Sequence, residues 1–399
     1  MKKTYRVVWA LLLLIILIQA CAKLEPAALA EEELLDGPVE GLSYDQGRQF
    51  LAGDVAFNDE VFSSQTGLGS IFVATSCGSC HAGDGKGHPF TTLTRFGQTD
   101  STGNQFLHLG GPQLQNRALP GYTPELVPAG ATFSKFTPPA NTGLGFLELV
   151  SDADILAMAD PNDANGDGIS GVPNWIALPS FITAPANAVS VNGRYIHRFG
   201  KKAAAFNLLH QTVNAYNQDI GIASSFAPND VYSGLDIDPE VSDLTVHNVV
   251  FYLQTLKAPI QRNPTDAEVM QGKNLFIQAG CESCHKQTLK TGFSNIAPLS
   301  NKIFHPYTDL LLHDMGPALD DGYTEGNAKT YEWRTPPLWG LGLSPNSQGG
   351  QYFLMHDGRA KSIEEAIQLH GGEAVSSKNK FNQMTAAERN AVLKFLKSL

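Results

Sequence analysis

The sequence predicts a mainly α-helical protein of two similarly ordered halves, with long loops and few short strands. Three observations carry that prediction. Apolar residues recur at helical spacing behind capping signals at Thr265 and Thr385. The pentapeptide Cys-x-x-Cys-His occurs twice, at residues 77–81 and 281–285. The 38 glycines and 23 prolines break the remaining chain into short pieces. A length of 399 residues suits two domains better than one. With 42% hydrophobic and 17% charged residues, the chain can bury a core and is not disordered. Its formal charge of -11 and lack of a basic run make it a poor ligand for nucleic-acid phosphates.

The N-terminus reads as an export signal. Met1, Lys2, Lys3 and Arg6 form a basic start, and residues 7–18 are unbroken apolar sequence. About twelve residues are too few to span a bilayer and suit a signal-peptide core. Leu17-Ile18-Gln19-Ala20-Cys21 resembles a bacterial lipobox, which implies a lipoprotein signal peptide over 1–20 and a lipid on the Cys21 thiol. Stable anchoring takes two or more acyl chains. No later segment is apolar enough to span a membrane, so a soluble body is expected. It would sit outside the cytoplasm, in the cell envelope facing the periplasm or exterior. Residues 21–41, rich in Ala, Glu and Leu, read as a tether.

The four remaining cysteines all lie in the two pentapeptides. Cys77, Cys80 and His81 form one, and Cys281, Cys284 and His285 the other. This motif reads as covalent attachment of a c-type haem. Two thiols one helical turn apart meet the two vinyl groups, and the adjacent imidazole reaches the iron. Export agrees, because c-type haem is attached outside the cytoplasm. The alternatives are weaker. A redox disulfide needs a βαβ setting, and a four-cysteine zinc site needs two pairs about two hundred residues apart to converge.

Helix, motif, loops and closing helix is the order of a cytochrome c domain. Residues 265–280 read as a helix capped by Thr265, with Glu268 completing a capping box. Residues 385–399 read as the closing helix, capped by Thr385 with Glu388. In the first half, residues 61–76 stand where the leading helix belongs, and residues 244–256 resemble the closing one. The segment 136–145 resembles 334–342. The reading is therefore two cytochrome c-like domains. Residues 42–258 would hold the first haem and a large loop insertion, and 259–399 the second haem.

Several further segments point to one family. They are residues 331–340, His356-Asp357-Gly358-Arg359-Ala360, residues 364–367, His370-Gly371-Gly372-Glu373, residues 160–171 and Leu312-His313-Asp314-Met315-Gly316. Together they resemble the di-haem oxidoreductase, putative peroxidase family, also described as thiol oxidoreductases with two cytochrome c haem sites. More distantly, the chain is similar to bacterial di-haem cytochrome c peroxidases and to the di-haem enzyme that matures methylamine dehydrogenase. The resemblance implies hydrogen peroxide as substrate at the first haem and electron transfer through the second. It also implies a small redox protein or a quinol-linked donor as partner. By the same resemblance, the ligand position after the HDG motif falls on His370, with Met355 as the alternative. Bis-histidine ligation would lower the potential relative to methionine.

The first haem needs a proton carrier on its open side. Glu148, after the first Pro-Pro and Gly-Leu-Gly segment, is the leading candidate and His108 the second. A surface glutamate is the alternative for Glu148, and a solvated loop histidine for His88. Arg334 suits haem propionates, with a cap or ion pair as the alternative. Trp175, Trp333 and Trp339 are candidates to lie between the haems, though Trp is more often core. His197, His210, His247, His305 and His313 read as structural. Asp163, Asn165 and Asp167 alternate like the start of an EF-hand loop and suit calcium. Asn174 stands at the twelfth position where glutamate belongs, so a metal-free turn is the alternative. Two functions compete with peroxide reduction: a di-haem electron carrier, and an oxidase of a protein or thiol substrate.

Overall fold

The computed structural model describes residues 35–96 and 108–399, together with residues 30 and 106. The signal peptide, Cys21 and most of the tether lie outside the described residues. Among the described residues, no helix is long and apolar enough to cross a membrane.

Two helix crossings of the same build dominate the fold. Helix α1 (Tyr44–Asp54) starts at Ser43, whose hydroxyl accepts from the Gln46 N–H while the Gln46 side chain accepts from the Ser43 N–H. It runs on into a π-turn, Val55–Asp59. Two shorter helices follow later, α2 (Leu144–Glu148) and α3 (Asp152–Met158), then α4 (Leu208–Asn214) and α5 (Asp243–Thr255). In the second half lie α6 (Ala267–Gln278), α7 (Ile363–Leu369), α8 (Val375–Gln383) and α9 (Ala386–Ser398). Helix α1 packs on α5, and α6 on α9. Each crossing turns on a glycine. Gly53 lies against the Asn248 carbonyl and the Tyr252 Cβ, and Gly272 against the Ala391 carbonyl and the Phe395 Cβ. A side chain at either point would meet backbone, so only glycine lets the axes approach this closely. Aromatic pairs fill in beside them, Phe50 with Tyr252 and Phe276 with Phe395.

The closing helix at the C-terminus has the expected cap: Thr385 and Glu388 exchange hydrogen bonds. Two expectations need correction. Helix α6 is capped by Asp266, whose carboxylate accepts from the Glu268 and Val269 N–H groups, so Thr265 lies outside it. A carboxylate reaching two orphan amides outcompetes a hydroxyl one residue earlier. The leading helix of the first half is α1, not residues 61–76. That stretch is turns and a two-residue strand, β1 (Ile71–Phe72), with Gly67 at positive φ and Gly69 pressed on the Gly221 carbonyl. Glycine at both points removes the continuity a helix requires.

The strands are short and antiparallel. Beyond β1 they are β2 (Leu93–Phe96), β3 (Arg117–Ala118), β4 (Phe133–Phe136), β5 (Asn174–Ala177), β6 (Ser190–Val191) and β7 (Arg194–His197). The second half adds β8 (Leu289–Lys290), β9 (Ile303–Phe304), β10 (Leu312–Asp314) and β11 (Glu332–Arg334). Pairing is β1 with β3, β2 with β4, β5-β7-β6, β8 with β9 and β10 with β11. The last pair sets His313 opposite Trp333 and Leu312 opposite Arg334. Residues 35–399 form one compact unit. Its largest core mixes Phe50, Leu208 and Leu256 with Leu289, Leu311 and Trp339, so apolar packing is continuous across 258/259. A second core, around Val269, Phe276, Phe381 and Phe395, underlies the C-terminal motif.

Candidate functional site

Both CxxCH motifs adopt the same local turn. The His81 N–H donates to the Cys77 carbonyl and the His285 N–H to the Cys281 carbonyl, each at 3.0 Å. This i to i+4 turn puts both thiols and the imidazole on one side. Each imidazole has a phenylalanine beside it, Phe57 at 6.0 Å from His81 and Phe276 at 6.3 Å from His285. One continuous cavity of about 500 Å³ is lined by both motifs, and its wall is mostly apolar. The four thiols are unpaired and face it. Burial pushes the Cys77 thiol up to about 12 and Cys80 to about 11, helped by the Asp219 carboxylate. Burial also pushes Cys281 up to about 12 and raises Cys284.

At the second motif two imidazoles face each other. The His285 Nδ1 is 3.0 Å from the Tyr307 carbonyl, and the His370 Nδ1 is 2.7 Å from the Ala366 carbonyl. Each Nδ1 therefore carries the proton, and each Nε2 keeps its lone pair. Burial lowers His285 to about 4 and also lowers His370, so both rings are neutral near pH 7. Their centroids are 6.5 Å apart. Two metal–nitrogen bonds of about 2 Å each, plus two ring radii of about 1.2 Å, span roughly 6.4 Å. The centroid separation is close to that sum, with the ring planes 47° apart.

Beside this site His313 is clamped between carboxylates. Its Nε2 is 2.8 Å from Asp309 and its Nδ1 2.8 Å from Glu373, with the Cys284 sulfur at 3.5 Å. Burial opposes its charge, but the hydrogen bonds to Asp309, Cys284 and Glu373 hold it well above the ordinary imidazole range. Glu373 also accepts from Ser170, at the end of the Asp/Asn/Gly loop. That contact ties the 160–171 segment to the second motif.

The first motif is different. The His81 Nδ1 is sequestered from solvent with the Pro139 carbonyl acting on it, and burial lowers the imidazole to about 4. Its aromatic neighbour is Phe57, with no second imidazole in ring contact among the described residues. Across the cavity near Cys77 and Cys80 stands Asp219, at the end of the π-turn that extends α4. Burial raises its carboxyl to about 7 against the pull of the Arg95 guanidinium. Arg95, from β2, is fixed by Glu325 at 2.6 Å, the Tyr323 hydroxyl at 3.2 Å and the Gln113 and Gln218 side chains at 3.3 Å. Neither Asp219 nor Arg95 announces itself in the sequence. Each is one polar residue in an ordinary segment, and only the fold brings it to the cavity that both motifs line.

The structure moves both expected distal residues away from that cavity. Glu148 accepts from the Leu208 N–H and the Gln254 side chain, each at 2.7 Å, and does not line the cavity. Its carboxylate joins α2 to the start of α4 and to α5, so both oxygens are engaged within the protein. His108 is exposed and also off the cavity. His88 is a loop residue, accepting from the Phe90 N–H. Arg334 lines the cavity, with Nε on the Gly200 carbonyl at 2.8 Å. Trp339 and Trp333 are on the wall, whereas Trp175 is not. Trp333 is stacked on His356 at 3.7 Å with the Lys202 ammonium over its other face. In the 163–168 loop, Asp163 accepts from the Gly168 N–H, Asn165 from Asp167 and Asp167 from Ile169. These oxygens close the turn on itself.

The residues fit two covalently held haems. Four apolar-facing thiols, two neutral imidazoles at one site, and the His81 imidazole with the unpartnered Tyr216 hydroxyl at the other all open toward, or border, one apolar cavity. A family model described as "Di-haem oxidoreductase, putative peroxidase" matches residues 135–399, well over half the chain. A solved structure of hydrazine synthase from Kuenenia stuttgartiensis, pressurised with 20 bar xenon, is similar over 94% of each chain. It shows 14% identity and a TM-score of 0.38. No curated protein matches.

Proposed function

The chain belongs to the di-haem oxidoreductase family, and from that premise we propose an exported, lipid-anchored c-type enzyme that reduces hydrogen peroxide. Peroxide, two electrons and two protons give two waters. Bound haem would supply one-electron redox chemistry at both sites and a peroxide-binding position at one.

One observation carries the division of labour: His285 has a second imidazole at 6.5 Å, and His81 has none in ring contact among the described residues. Two protein ligands keep the second site closed and suit it to electron passage. One ligand leaves the first site open to a substrate. Cys77 and Cys80 would carry one haem and Cys281 and Cys284 the other. Asp219 is the proton carrier in this reading. A carboxyl near 7 is poised to accept a proton and return it at neutral pH. Arg95 fixes its neighbour Gln218 and supplies the opposing charge. The apolar wall keeps bulk water from the exchange.

A thiol-oxidising reading is disfavoured by the cysteines themselves. Thiol exchange needs a free thiolate, whereas these four sulfurs would be tied to haem as thioethers, and burial would keep any left free protonated. Calcium in the 163–168 loop is not needed for this reading. A lipid on Cys21, a location in the cell envelope, and a small redox protein or quinol-linked donor complete the proposal. EPR of the haem-loaded protein during stepwise reduction, followed by peroxide, tests it. A high-spin ferric signal that peroxide consumes is expected. Two low-spin signals that ignore peroxide would leave only an electron carrier.

A further inference from the structure

Most buried cations in this protein have named partners. Arg198 holds Asp152 at 2.5 Å, Arg95 holds Glu325, and Lys202 donates to the carbonyls of Lys329, Thr330 and Glu332. Three cations on the cavity wall do not follow this rule. Lys86 follows the first haem motif by five residues, Lys201 lies in the loop after β7, and Arg334 ends β11. Among the described residues, neither ammonium has a hydrogen bond and none of the three has an ion pair. Arg334 spends Nε and one terminal nitrogen on the Gly200 and Thr335 carbonyls, which orients the other toward open space.

The carboxylates that act on them are already engaged. Asp357, which favours the charged forms of Lys86 and Lys201, is bound by Arg359 at 2.7 Å. Asp309, which favours charged Arg334, is bound by His313. Burial pulls Lys86 down to about 8, Arg334 to about 10 and Lys201 well below its ordinary value, and Lys201 is further opposed by its two cationic neighbours. Partly buried cations without a counter-ion are costly, and a fold keeps three together on one cavity wall where an anion neutralises them.

We infer that Lys86, Lys201 and Arg334 form an anion pocket that clamps haem propionate carboxylates. The cavity that holds the cations is the one both haem motifs line, and its remaining wall is apolar, as a porphyrin face requires. The pocket joins residues from both halves: the Arg334 N–H donates to the Lys201 carbonyl at 3.0 Å, and Lys86 comes from the first motif's loop. Guanidinium and ammonium groups are the side chains that bind carboxylates most strongly. This inference rests on the di-haem reading.

The test uses the full chain carrying haem, with covalent haem counted per chain before each measurement. Midpoint potentials of both haems are measured at fixed pH and ionic strength for K86Q, K201Q, R334Q and the charge-keeping K201R. A neighbouring cation disfavours the oxidised haem, so each neutral variant should lower the potential of at least one haem. K201Q should cut the ratio of reduced to oxidised haem roughly tenfold at the wild-type midpoint. K201R should restore most of it, and the propionate bending band in resonance Raman should move with K201Q. Inorganic phosphate added to the wild type should change nothing. Potentials and Raman bands unmoved in all three neutral variants, with two haems present, would overturn this inference alone. So would a saturable phosphate response, which would mean a site for free anions. A chain carrying no covalent haem would overturn the di-haem reading and this inference together.

Discussion

Replacing His370 tests the second site most directly. In the folded chain its Nδ1 proton is held by the Ala366 carbonyl at 2.7 Å, and its ring faces His285 at 6.5 Å. H370A removes the hydrogen bond, worth about 1 kcal/mol, and the packing of a half-buried ring, worth about 1–2 kcal/mol. A total near 2–3 kcal/mol should leave the domain folded. The larger effect is electronic. His285 would be the one imidazole left, so half of the haem in the protein should pass from low to high spin. H370M should keep the iron low-spin and raise its potential, because a thioether favours the reduced state more than imidazole does. EPR at cryogenic temperature reads the spin state, spectroelectrochemistry the potential and denaturant titration the stability. Unchanged low-spin g-values in H370A, or an unmoved potential in H370M, would refute the assignment, whatever the stability change.

Three other outcomes are expected. D219N should slow peroxide turnover by about 10²–10⁴-fold and abolish a rise in wild-type rate as pH increases through about 7, where the carboxyl ionises; a retained profile would move the proton carrier elsewhere. D152N should cost about 3–5 kcal/mol in denaturant titration, because Arg198 stays buried and charged at 6% exposure; a cost below about 1 kcal/mol would show that the pair is dispensable. Burial lowers His197 and His210 to about 4 in the folded state, so below the ordinary 6.5 the unfolded chain binds protons first. Each therefore contributes stability that is present above about pH 6.5 and lost down to about pH 4, at about 1.4 kcal/mol per unit. H210N should reduce the pH slope of stability by one proton in that window, and equal slopes would count against the burial argument.

The haem motifs, the closing helix and the family resemblance were legible because each is local. A CxxCH turn is set by five consecutive residues, and a capping box by four. His370 was reached through the resemblance, which put a ligand position at its spacing from His356. The tertiary structure alone decided which polar residues meet the cavity. Glu148 looked suited to proton transfer, yet its carboxylate stitches three helices together, because the Leu208 amide and the Gln254 side chain reach it first. Asp219, Arg95, Lys86 and Lys201 had no pattern to mark them. Their roles arise from burial and from which charges stand nearby, and both are sums over residues distant in sequence. The helix crossings show the same division. A glycine in a helix is visible in the sequence, but that Gly53 and Gly272 each admit a closing helix is fixed by packing. Short-range hydrogen bonding is written along the chain, whereas desolvation and charge compensation exist only once distant segments share one apolar cavity.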